Sequence, residues 1–107
     1  MEKDKIESLL GFAVKAGKLV YGADSLETTR TRVYVVFTCS TASDNTKQKV
    51  RKIASAKHIP MLITKKELQY IVSRKNCKVI GVTDKQMAEA MLARLNENYE
   101  TDRSEVK

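Results

Sequence analysis

Val33-Tyr34-Val35-Val36-Phe37 is a run of β-branched and aromatic residues with no polar alternation. A strand of that kind is covered on both faces, as in a parallel sheet with helices packed on either side. The rest of the chain supplies the helices. Asp4-Lys5-Ile6-Glu7 has the spacing of a capping box, and Ile6, Leu9, Leu10, Ala13 and Val14 mark one apolar face behind it. Gly17 stops this helix, because glycine takes the left-handed cap without a Cβ penalty. Lys18-Leu19-Val20-Tyr21 is long enough for a short strand. Gly22 then turns the backbone, and Asp24 or Ser25 caps a second, short helix ending near Thr29.

Beyond the apolar run, the small polar residues from Thr38 to Thr46 read as a loop and an N-cap. The helix they open turns Val50, Ile53 and Ala54 inward and ends near His58, ahead of Pro60. Met61-Leu62-Ile63 is a short buried strand, and Thr64-Lys65-Lys66-Glu67 is a second capping box before Leu68, Ile71 and Val72. Ser73 to Lys78 forms a basic connection to the strand Val79-Ile80-Gly81-Val82. Asp84 opens a last helix with Met87, Ala88, Met91, Leu92 and Leu95 as its buried stripe. Helices and strands alternate throughout, which predicts an α/β chain folded as a three-layer α/β/α sandwich. One domain over residues 1–97 and a flexible tail over 98–107 are expected.

The charge is uneven. The chain carries a formal +7, and the stretch from Arg30 to Lys78 holds twelve basic residues against Asp44 and Glu67. Such a basic middle suits a polyanion partner. No apolar run approaches the roughly 20 residues that span a bilayer, and the mixed-charge start resembles no export signal. Cys39 and Cys77 are expected to be reduced and packed. The expected compartment is the cytoplasm, with no membrane partner.

Reactive groups do not converge. His58 is the single histidine, which leaves no triad or metal cluster built on paired histidines. Asp24, Asp44 and Asp84 each read as helix caps, and Met87 and Met91 stand at core spacing. No enzyme, metal or cofactor is predicted.

The segment Leu10-Gly11-Phe12-Ala13-Val14-Lys15-Ala16-Gly17-Lys18-Leu19-Val20-Tyr21-Gly22 resembles the opening of bacterial members of the kink-turn-binding ribosomal protein family, the L-seven-Ae type. Asp44-Asn45-Thr46-Lys47, Ile59-Pro60, Lys66-Glu67-Leu68 and Val82-Thr83-Asp84-Lys85 fall where those members have similar stretches. The resemblance implies a four-stranded mixed sheet between helices, and binding of a kink-turn, an RNA bend built on sheared G·A pairs. It implies that the start of the second helix enters the RNA groove with a Gly-x-Asn-Glu-x-x-Lys pattern. Here that pattern falls on Gly22-Ala23-Asp24-Ser25-Leu26-Glu27-Thr28, with Asp24, Ser25 and Thr28 replacing the asparagine, glutamate and lysine. The implied second contact is the loop Ser73-Arg74-Lys75-Asn76-Cys77-Lys78.

The resulting expectation is a non-catalytic, ribosomal-protein-like RNA-binding domain for structured RNA, with ribosomal RNA and the ribosome among its candidate partners and no DNA specificity. Lys15, Lys18, Arg30, Arg74, Lys75 and Lys78 would supply phosphate affinity. The backbone at Gly22 and Ala23, with Asp24, Ser25, Thr28, Ser73 and Asn76, would supply the finer contacts. Lys47 to Lys52 form a further basic face that nothing in the sequence places beside this site. The replaced Asn-Glu-Lys set motivates the alternative, a protein-interaction adaptor that kept the fold.

Overall fold

A computed structural model describes residues 4–101. The elements in chain order are α1 (Lys5–Ala16), β1 (Leu19–Tyr21), α2 (Ala23–Thr28), β2 (Val35–Cys39), α3 (Asp44–Lys57), β3 (Met61–Thr64), α4 (Leu68–Ile71), β4 (Val79–Val82), α5 (Lys85–Leu92) and β5 (Tyr99–Thr101). The sheet has five strands in the order β1-β4-β2-β3-β5, not the four expected. The extra strand, Tyr99–Thr101, lies inside the stretch that the sequence reads as a tail, and pairs antiparallel with β3. Tyr99 explains it: its ring is buried and meets Phe37 edge-on at 5.9 Å. Residues 102–107 of the expected tail lie outside the described residues.

Among the described residues only β2 and β3 run parallel; β4 is antiparallel to both of its neighbours, β1 and β2. Every residue of β2 is buried, Thr38 included, and the strand starts and ends two residues later than the apolar run Val33–Phe37. Successive side chains on a strand point to opposite faces, and β2 feeds two cores accordingly. Val35, Phe37 and Cys39 join Ile6, Leu10, Leu68 and Met91 in one cluster. Val36 joins Leu26, Val50, Ile53 and Met61 in the other.

The caps are partly those expected. Asp4 accepts from the Ile6 N–H at 2.8 Å, while Glu7, the other half of the expected box, pairs with Lys66. Gly17 closes α1 at φ 68°, and Asp84 accepts from Met87 N–H at 2.9 Å to open α5. Ser43, not Asp44, caps α3, and His58 closes it in the left-handed region at φ 59°. The box at Thr64 does not form. Thr64 Oγ1 accepts from Lys66 N–H at 3.0 Å, Glu67 turns to Lys78, and α4 is a single turn. Among the described residues no helix is long and apolar enough to cross a membrane.

Gly81 sits in the middle of β4, and a Cβ there would lie 2.9 Å from both Leu26 Cδ1 and Val33 Cγ1 and 3.0 Å from Val20 Cγ2. The sheet therefore admits α2 closely only because this position has no side chain. Gly81→Ala is expected to destabilise the fold by about 1–3 kcal/mol through overpacking, read from the midpoint of denaturant unfolding. An unchanged midpoint would contradict this account of how α2 is seated.

Candidate functional site

β4 brings the two expected contact segments to one end of the sheet. Tyr21 pairs with Ile80, Thr38 with Val79, and Cys39 with Thr64. Thus β1, β2 and β3 finish where β4 begins. The Gly22 N–H donates to Val79 O at 2.9 Å, so the turn after β1 is bonded to the strand that the basic loop enters. The two segments also touch directly. The Arg74 guanidinium lies over the Tyr21 ring, 4.0 Å from its centroid. At an exposed site such a cation–π contact contributes about 0.5–1 kcal/mol, and it fixes the planar fork of an otherwise free arginine.

Gly22 is the residue that the turn demands. Its φ of 88° and ψ of 155° lie where essentially only glycine is found. A Cβ there would meet nothing within 4 Å, so the requirement is conformational and not one of space. Gly22 is itself the N-cap of α2, with no side-chain cap; Asp24 and Ser25, expected as caps, lie exposed within the helix. Asp24 is free to do something else. It pairs with Lys49 of α3, and that hydrogen bond and charge hold its carboxyl below the usual carboxylate range while raising the Lys49 ammonium above its own. Lys49 is thereby placed beside the start of α2, which no local signal could show across a separation of 25 positions. Thr28 Oγ1 donates to the Asp24 carbonyl at 3.0 Å, one helical turn back.

The loop from Ser73 to Asn76 is exposed and internally tied. Arg74 N–H donates to Gln69 O at 3.0 Å, Cys77 N–H to Arg74 O at 3.2 Å, and Asn76 N–H to Gln69 Oε1 at 3.1 Å. Two residues take left-handed backbone without glycine, Ser73 at φ 56° and Asn76 at φ 59°. Lys75 is exposed between them. Lys78, expected as a phosphate ligand, instead donates to Glu67 Oε1 at 3.0 Å and Thr41 Oγ1 at 2.8 Å.

Other expected contacts lie elsewhere. Thr83 N–H donates to Lys18 O at 2.9 Å, which puts Lys18 at the opposite end of β1 from Gly22. Arg30 lines a cavity with Lys57 and Pro60, at the end where β2 and β3 start. Lys15 stands along the groove between α1 and α4, beside Phe12 and Tyr70. The site at the rim is therefore Gly22, Ala23, Asp24 and Ser25 with Ser73, Arg74, Lys75 and Asn76, and Tyr21 and Lys49 join it. The buried thiols take no part: burial raises both Cys39 and Cys77, and Cys39 Sγ accepts from Leu68 N–H at 3.3 Å.

The RNA-binding protein YlxQ of Enterococcus faecium is 30% identical over 90 residues, 80% of this chain and 86% of its own. This chain belongs to the YlxQ family. The solved structure of a protein with unknown function from Bacillus halodurans C superposes with a TM-score of 0.79 and 26% identity, covering 85% of this chain and 96% of the other. The two chains thus share one body with little sequence in common, which fits a fold held by its apolar pattern. No protein-family model matches the chain.

The Glu67 contact is open to a direct test. Thr41 and Lys78 hold the Glu67 carboxyl below its usual 4.5. A lowered folded value contributes stability above the unfolded pKa, and that contribution is lost as pH falls through the folded value. Glu67→Gln is expected to lower the melting temperature at pH 7 and to leave it unchanged near pH 2, where wild type has lost the same interaction. An equal deficit at both values would show that the carboxylate charge is not what matters.

Proposed function

We propose that this chain is a non-catalytic RNA-binding protein that recognises a bent, kink-turn-like RNA through the start of α2 and the loop 73–76. The observation that carries the reading is the Arg74–Tyr21 stack, which joins the glycine turn to the basic loop in one exposed surface. Arg74 and Lys75 supply salt-dependent phosphate affinity. Ser25 is exposed at the start of α2, and the first-turn N–H groups of a helix have no intrahelical partner, so both can meet base edges and sugars of a distorted helix. Asp24 would repel phosphate if alone; Lys49 cancels its charge locally. The name of the E. faecium relative supports RNA as the ligand class. The two cores on opposite sheet faces, with α1, α4 and α5 in one and α2 and α3 in the other, support reading the body as a three-layer sandwich.

The adaptor reading has one observation in its favour. Phe12 and Tyr70 are 60% and 78% exposed along the groove between α1 and α4, more than burial economics favours for aromatic rings. That groove is lined by Tyr70 and Ile71 of α4 and by none of residues 21–25.

A gel-shift series with a kink-turn RNA, its G·A-disrupted mutant and a plain duplex tests the proposal. The kink-turn is expected to bind tightest, with Lys75→Glu weakening binding and flattening its salt dependence. Asp24→Asn is expected to tighten binding roughly fourfold, the worth of one unit charge a few ångströms from phosphate in water. Equal affinity for all three RNAs would reduce the site to a non-specific polyanion patch, and no binding would leave the adaptor reading.

A further inference from the structure

Arg30 was expected beside the Gly22 turn, yet it lies at the other end of the sheet. What surrounds it there is a second basic site. Arg30, Arg32, Lys57 and His58 line a cavity of about 430 Å³ whose floor includes Val33 and Ile59. No carboxylate lines it, and no ion pair to Arg30, Arg32 or Lys57 is found among the described residues. Lys57 is held in place by donating to the carbonyls of Leu26 and Glu27 at 3.0 and 3.1 Å. Arg32 lies over the Tyr34 ring, 5.4 Å from its centroid.

We infer that this pole binds the phosphodiester backbone of a second RNA segment, so that one chain bridges two RNAs. Three cations converging on a concave surface with no acid among them focus a positive field that needs anionic counter-charge. Two of them are arginines, whose planar forks match phosphate oxygens bidentately. The polymer is favoured over a small phosphorylated ligand because Lys57 already donates to two backbone carbonyls and Arg32 already lies over the Tyr34 ring, which leaves single phosphate contacts along a chain and not one closed cradle. Arg32 and Tyr34 also repeat the arginine-on-tyrosine pairing of Arg74 and Tyr21. The two sites stand at opposite ends of β2, whose residues rise about 3.4 Å each, so one phosphate group does not reach both. The proposal rests on the rim reading for the first RNA only; the second site stands on its own charges.

The test captures the chain on a biotinylated kink-turn RNA and then adds a fluorescent plain duplex. Wild type is expected to retain the duplex. The double variant Arg30→Glu with Arg32→Glu is expected to stay on the kink-turn RNA while retaining at least about fivefold less duplex, since two phosphate contacts are lost. Arg30→Gln with Arg32→Gln keeps the side chains neutral and long, and is expected to change retention in the same direction should charge reversal unfold the chain. Equal retention by these variants, or none by wild type, would overturn the second site. If the kink-turn RNA fails to hold the chain, the rim reading fails. The pole is then read on chain immobilised through a C-terminal tag, where the double variant should bind duplex with a log K against log salt slope shallower by about two. An unchanged slope there would overturn the pole independently of the rim.

Discussion

β4 is hydrogen-bonded along both edges, to β1 on one side and β2 on the other, and the candidate site exists because of that placement. The antiparallel pairing with β1 puts the end of one strand against the start of the other. A turn at Gly22 and a loop ending at Cys77 therefore meet, though more than fifty residues separate them in the chain. The Gly22–Val79 hydrogen bond and the Arg74–Tyr21 stack follow from this register. A slip of one residue would turn Ile80 and Val82 from their own core toward the opposite one and carry the loop away from the turn.

The same pairing governs the close seat of α2. Gly81 lets Leu26, Val33 and Val20 approach the sheet, so α2 packs closely against one face. α3 packs alongside, and Lys49 then falls next to Asp24. Charge compensation across two helices is thus a consequence of packing.

Much of this was legible in the residues because apolar pattern and turn chemistry are local. Val35, Val36 and Phe37 of the unbroken run do lie in a strand buried at every position, and Gly17 and Asp84 do cap the helices they flank. The body extends one strand further than the pattern showed, since β5 is three residues with a single buried member, Tyr99. Caps failed where a side chain had a better distant partner: Glu67 goes to Lys78 and Thr41, and Asp24 goes to Lys49. The cations were harder still. Arg30 and Lys78 look equivalent to Arg74 and Lys75 in the sequence, but strand order sends Arg30 to the far end and an acid neutralises Lys78. Which lysine or arginine is available depends on contacts between residues tens of positions apart, and no spacing rule carries that information.

The most direct test of the central claim is backbone amide NMR of the chain titrated with a kink-turn RNA. The account predicts that the largest shift changes fall together on residues 22–25 and 73–76, with Tyr21 among them. Changes confined to one of these segments, or to the groove between α1 and α4, would contradict it.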